Sequence, residues 1–215
     1  MRIVLFYNGD RGHWVSNAIY AAGFEAKHVQ DRDVNDPEFV EYMKESEVDL
    51  FIVAGYSRIF KADILSVPRL GTWNCHAGPV PEYRGGSPLN WQIINGRKML
   101  EVSLIEMDEG IDTGPVIDKM RFKLDRDETI VDAHCKANER FGWMIQKALK
   151  YGVDPKPQPE SDAYKPQRND DMGEIDFKWS VERIHNFVRA LTHPYPGAWF
   201  QLDGRRIRIW SASLD

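Results

Sequence analysis

The feature that most restricts how this chain can fold is a pair of short, continuous apolar runs, Ile3-Val4-Leu5-Phe6-Tyr7 and the stretch 49–54 ending Leu50-Phe51-Ile52-Val53-Ala54, each followed closely by a glycine. A strand that is apolar at almost every position has no solvent face, so both read as interior strands of a parallel sheet covered on two sides. Between them lie a helical stretch through Trp14, Ala18, Ile19 and Ala22 that stops at Gly23, a short strand over Ala26–Val29, and a helix over 37–44. This alternation implies right-handed βαβ units.

The same reading continues along the chain. A helix over Ala62–Leu65 precedes a strand over 71–74; Ser87 followed by Pro88 starts a helix that Gly96 stops; a strand over 102–107 enters an acidic loop. Ile130, Ala133, Ala137, Phe141, Met144, Ile145 and Leu149 share one face of a helix over Ile130–Tyr151. Pro155, Pro157 and Pro159 then mark a linker. Ser180 caps a last helix, and Asp203-Gly204 turns a hairpin of 199–202 with 205–210. The fold class expected is α/β, a Rossmann-like, doubly wound, mostly parallel sheet with a small C-terminal helix and β-hairpin subdomain. Residues 1–151 form the main domain in this reading and 152–215 the linker and subdomain.

A formal charge of -5 and a pI near 5.7 argue against a surface built mainly to grip nucleic acid, and no membrane-spanning stretch is expected. Cys75 and Cys135 are the only cysteines and lack a metal-binding spacing, so neither a disulfide framework nor a metal site is expected and a reduced, cytoplasmic setting fits. Residues 8–13 hold Gly9 and Gly12 without the three-glycine dinucleotide pattern.

The chemistry concentrates between Trp73 and Gly114. Asn74 and His76 are two apart, so on a strand they face the same side while Cys75 faces the other. Asp112 follows in Gly110-Ile111-Asp112-Thr113-Gly114. An amide, an imidazole and a carboxylate suit acyl transfer to a substrate amine: the amide and a protonated imidazole stabilise the oxyanion, and the carboxylate holds the imidazole or takes the amine's proton. His76 is also a candidate to protonate the leaving nitrogen. The long Gly- and Pro-rich loop after His76 reads as a binding loop.

Asn74, His76, the loop Pro79-Val80-Pro81-Glu82-Tyr83-Arg84-Gly85 and Met107-Asp108-Glu109-Gly110-Ile111-Asp112-Thr113-Gly114 closely resemble the folate-dependent formyltransferases. Pro88-Leu89-Asn90-Trp91 with Ile94-Asn95-Gly96, and Pro194-Tyr195-Pro196-Gly197-Ala198 further on, resemble the sugar N-formyltransferase branch. The resemblance implies N10-formyltetrahydrofolate as formyl donor and a nucleotide-linked amino sugar as acceptor. It also implies Asn74, His76 and Asp112 as catalytic residues. Tyr56, Ser57, Arg58, Ile59, Asp108, Glu109, Gly110 and Ile111 would surround the donor, and Tyr83, Arg84, Gly85, Asn90 and Trp91 would line the acceptor side. Lys165 and Arg168 are candidates for nucleotide phosphates, ahead of Arg205, Arg206 and Arg208, which read as solvated hairpin charges.

Three readings compete: methionyl-tRNA as acceptor, which the acidic balance and the lack of a basic C-terminal barrel disfavour; a deformylase or purine-pathway transformylase; and a silent binding module. A homodimer through the C-terminal hairpin is expected, because the hairpin and its helix bury little alone.

Overall fold

Among residues 1–214, which the computed structural model describes, the chain builds one six-stranded sheet and one two-stranded hairpin. The main sheet is formed by β1 (Ile3–Tyr7), β2 (Ala26–Val29), β3 (Leu50–Ala54), β4 (Thr72–His76), β5 (Met99–Glu106) and β6 (Val116–Lys123), in the spatial order β2-β1-β3-β4-β5-β6. β1 pairs in parallel with β2 and β3, and β3 with β4, whereas β5 runs antiparallel to both β4 and β6. The expected mostly parallel, doubly wound sheet is therefore present, with an antiparallel edge.

Period-two alternation divides the core. Ile3, Leu5, Leu50, Ile52, Trp73 and Cys75 face one side, where α1 (Asp10–Ala21) and α5 (Ile130–Tyr151) cover them. Val4, Phe6, Phe51 and Val53 face the other, with Phe39, Val40 and Met43 of α2 (Pro37–Glu45) and Ile64 of α3 (Ala62–Leu65). Phe6 is the hinge of this second layer, its ring edge-on to Phe51 at 5.0 Å and to Phe60 at 5.2 Å. α5 starts in a capping box: the Thr129 hydroxyl accepts from Val131 N, and the Asp132 carboxylate accepts from Thr129 N at 2.8 Å.

Two expectations change. The strand β6 has no counterpart in the sequence pattern, because it is an edge strand carrying Asp118, Lys119, Arg121 and Lys123 and shows no apolar run. The helix after Ser87, α4 (Pro88–Ile94), forms as expected, but Ser87 does not cap it. Its backbone is left-handed, with φ 49°, and its hydroxyl accepts from Arg168 N at 3.1 Å instead.

Beyond Tyr151 the chain crosses back over the carboxyl edge of the parallel strands, passes a 3-10 turn at Asp170–Gly173, and forms α6 (Val181–Leu191), β7 (Ala198–Leu202) and β8 (Arg205–Ile209). Ile175, Phe187, Val188, Leu191 and Ala198 make a small core of their own, joined to the main body by Ile94 and by the Asn90 amide, which donates to Ala190 O at 2.8 Å. Trp199 is buried and Trp210 stacks on His193 at 3.9 Å, so the two tryptophans do not pack on each other.

Candidate active site

The loops after β1, β3 and β4 meet at the carboxyl edge of the parallel strands, where open sheets place their ligands. They enclose a cavity of about 730 Å³. Asn74 and His76 enter it from the last residues of β4, and Asp112 from the loop between β5 and β6.

Asp112 is the centre of the arrangement. One carboxylate oxygen accepts from Asn74 Nδ2 at 3.2 Å; the other lies 3.3 Å from His76 Nδ1 and accepts from Gly85 N at 2.9 Å. Burial alone would raise this carboxyl. The hydrogen bond and charge of His76, then the Gly85 N–H and the Asn74 amide, outweigh it and hold the group below the ordinary carboxylate range. The backbone of Asp112 is left-handed, φ 55°, a conformation that a non-glycine residue keeps only where its surroundings impose it.

His76 Nε2 lies 2.7 Å from Tyr83 O. A carbonyl only accepts, so Nε2 carries the hydrogen toward Tyr83 O, while Nδ1 faces the Asp112 carboxylate. The ring is thereby held in place between the loop after β4 and Asp112. Asn74 Nδ2 carries a second hydrogen beyond the one given to Asp112, and Asn74 lines the cavity.

The expected donor residues, Tyr56, Ser57, Arg58 and Ile59 on one loop and Asp108, Glu109, Gly110 and Ile111 on the other, all line this cavity. The Tyr56 hydroxyl is occupied, donating to Arg32 O at 2.5 Å and accepting from Arg32 N at 2.9 Å, so its ring alone serves as wall. Asp108 fastens its own loop, accepting from Gly110 N at 3.1 Å and Thr113 Oγ1 at 2.6 Å. Val53, Phe60 and Met107 are apolar walls between the two loops, and Ile59 and Ile111 are exposed beside them. Two loops with apolar walls and exposed backbone edges suit a flat heterocycle, and the volume lies within the roughly 300–1,000 Å³ of small-molecule sites.

The residues expected on the acceptor side divide. Gly85 and Asn90 line the cavity, and the buried Asn90 Oδ1 has no hydrogen-bond partner in the protein. Tyr83, Arg84, Trp91, Lys165 and Arg168 lie outside it, each held by other parts of the chain. The Tyr83 hydroxyl accepts from Asn95 Nδ2 at 3.0 Å. Arg84 is buried and donates to Gln158 and Ser161. Trp91 Nε1 donates to Pro166 O at 2.9 Å. The Lys165 ammonium lies over the Tyr83 ring, and its backbone pairs with Gly85. The Arg168 guanidinium is sandwiched between Trp91 and Phe187, and burial lowers it to about 10. Arg206 and Arg208 pair with Asp170.

Sequence reasoning missed the far arm of the cavity, which includes Arg11, Trp14, His134, Asn138 and Tyr195. Arg11 Nε donates to Asn138 Oδ1 at 3.1 Å, and His134 Nε2 lies 3.0 Å from the Tyr195 hydroxyl. Burial, then the charge of Arg11, pushes His134 down to about 4, leaving Arg11 the fixed cation of this arm. The available signal was the position of Arg11 just past β1, at the ligand-bearing edge of the sheet. Among the described residues no group of three or more His, Cys, Asp or Glu side chains could hold a metal ion, and no helix is long and apolar enough to cross a membrane.

Residues 9–149 match the formyl transferase family and residues 168–215 match the formyl transferase C-terminal domain. A methionyl-tRNA formyltransferase from Caldanaerobacter subterraneus is 35% identical, over 84% of this chain and 60% of that protein. The chain thus spans about three-fifths of the length of the curated relatives it matches. A solved methionyl-tRNA formyltransferase from Clostridium thermocellum superposes with a TM-score of 0.85 at 23% identity, covering 100% of this chain and 94% of that one. A sugar N-formyltransferase from Shewanella sp. superposes at 0.81 with 17% identity, covering 100% and 99%. At such identities the two structures speak for the fold alone. The expectation of a nucleotide-linked amino sugar as acceptor is overturned: relatives 30–35% identical to this chain include methionyl-tRNA formyltransferases from several organisms. The whole-chain charge that had disfavoured tRNA describes a mean field and says little about one local acceptor site.

Proposed function

The chain belongs to the formyl transferase family, and from that premise we propose that it moves a formyl group from N10-formyltetrahydrofolate to the α-amine of methionyl-tRNA. The observation that carries the chemistry is the single network joining Asn74, His76 and Asp112 at the cavity. The acceptor rests on the sequence relatives.

The loops 55–60 and 107–112 would hold the donor, which supplies a formyl group already activated on nitrogen. Asn74 turns its second amide hydrogen toward the formyl carbonyl oxygen, and the His76 ring, fixed against Asp112, lines the cavity beside it, so negative charge developing on that oxygen meets an oriented dipole that needs no rearrangement. Asp112 fixes the Asn74 amide and the His76 ring through its two oxygens. Its depressed carboxyl stays ionised at neutral pH, able to accept a proton from the attacking amine directly or through one water and, as the formyl carbon's bond to the donor nitrogen breaks, to pass that proton on to the departing nitrogen. The protein forms no covalent bond to the formyl group. It aligns two substrates and stabilises charge.

Incubation with N10-formyltetrahydrofolate and methionyl-tRNA tests this, with formylmethionyl-tRNA measured after acid quench. The expected result is acceptor-dependent transfer. Loss of the formyl group to water at one rate with and without acceptor would contradict the transferase reading in favour of a deformylase.

A further inference from the structure

Residues 152–168 cross the catalytic edge as a strap with several anchors. Lys156 exchanges two backbone hydrogen bonds with Val116, at 2.7 and 2.8 Å. Lys165 N donates to Arg84 O at 2.7 Å, and Gly86 N to Lys165 O at 2.7 Å. The fit is close: a Cβ on Gly85 would come within 2.3 Å of Lys165 O, and one on Gly86 within 2.4 Å of Gln167 Cα.

Between these anchors lies Gln158, half-buried and fully engaged. Both hydrogens of its amide are given to the catalytic loop, one to Asp112 O at 2.9 Å and one to Gly114 O at 2.6 Å. Its own oxygen accepts from Arg84 Nε at 3.1 Å and Nη2 at 2.8 Å, while Arg84 Nη1 donates to Ser161 O at 2.9 Å. Arg84 is 7% exposed, and among the described residues no carboxylate pairs with it. Burying a guanidinium without an acid partner is unfavourable unless its planar fork meets well-placed acceptors, and here those acceptors are one amide oxygen and one carbonyl.

We infer that Arg84 and Gln158 are positioning residues for the trio: the guanidinium orients the Gln158 amide, which holds the backbone of Asp112 so that its carboxylate meets Asn74, His76 and Gly85 together. The left-handed backbone of Asp112 is the conformation that needs such support. A strap from the C-terminal half of the chain thereby helps set the geometry of the catalytic carboxylate. The proposal rests on the formyl-transfer reading for its kinetic consequence, but its structural consequence can be read without activity.

The titratable group in contact with the Asp112 carboxylate is His76, from β4; Arg84 reaches the loop through Gln158, and Arg58, Asp108 and Glu109 line the same cavity. Gln158→Met keeps the side chain's length and adds no charge, and Gln158→Asn is a second neutral variant should the first fold poorly. The expected result is a kcat lower by roughly 10- to 100-fold with donor KM within about twofold, the scale of effect that a small misplacement of a catalytic group produces. The Asp112 carboxyl titration, followed by carbon NMR, is expected to move to higher pH as its donors lengthen. An unmoved Asp112 titration overturns the proposal whatever happens to Tm, and so does an unchanged kcat in an active wild type. If the wild type transfers no formyl group, the proposed activity fails, while the titration still decides the clamp.

Discussion

At the residue scale, the account depends on Asp112 more than on the histidine that acyl-transfer sites are usually built around. Its two oxygens collect three partners from two segments: Asn74 and His76 from β4 and Gly85 from the following loop. Because its folded carboxyl is depressed, the stabilisation it contributes is fully present above the unfolded value near ~3.9 and is lost as pH falls through the lower folded value. The stability gap between wild type and Asp112→Asn, measured by urea denaturation, is therefore expected to be constant above about pH 5 and to narrow below pH ~4. A gap independent of pH down to acid unfolding would contradict the assignment. Asn74 and His76 were legible in the sequence because strand parity alone puts them on one face. The surroundings of Arg84 and Trp91 were not legible, because a motif gives residue types without saying whether a polar side chain faces a ligand or another segment. Only the strap's path over Gly85 and Gly86 decides that.

At the element scale, what could be read was whatever has a one-dimensional signature. β1 and β3 are buried at every position, and the face of α5 announced by its periodicity is the face that packs on the sheet. β6 was invisible because its stability comes from pairing with β5, while half of its own residues are charged and only Phe122 is buried. Ser87 shows the converse, a correct helix start whose apparent cap serves the strap. Side-chain caps are found instead at Thr129 on α5 and, as expected, at Ser180 on α6. Thr129→Ala is expected to cost about 1 kcal/mol and lower Tm by roughly 2–4 °C in calorimetry, with formyl transfer unaffected at 25 °C. A Tm equal to that of wild type would show that the capping box contributes nothing.

At the scale of the whole molecule, a sheet covered by helices on both faces supplies a rigid edge, and the chain beyond α5 returns across that edge before forming its own small core. The catalytic network is thus set by residues far apart in sequence: Gln158 and Asp112 are 46 positions apart, and Arg84 and Gln158 are 74. The sequence could show both groups but not their contact, and for the same reason it could show the chemistry without the acceptor. The most direct test of the account is the single-turnover rate of formyl transfer from N10-formyltetrahydrofolate to methionyl-tRNA, compared between wild type and the Asn74→Ala, His76→Asn and Asp112→Asn variants. The account predicts transfer by the wild type and a loss of about 100- to 1,000-fold in each variant, as for removal of a preorganised oxyanion donor. Variants within a few-fold of the wild-type rate would contradict it.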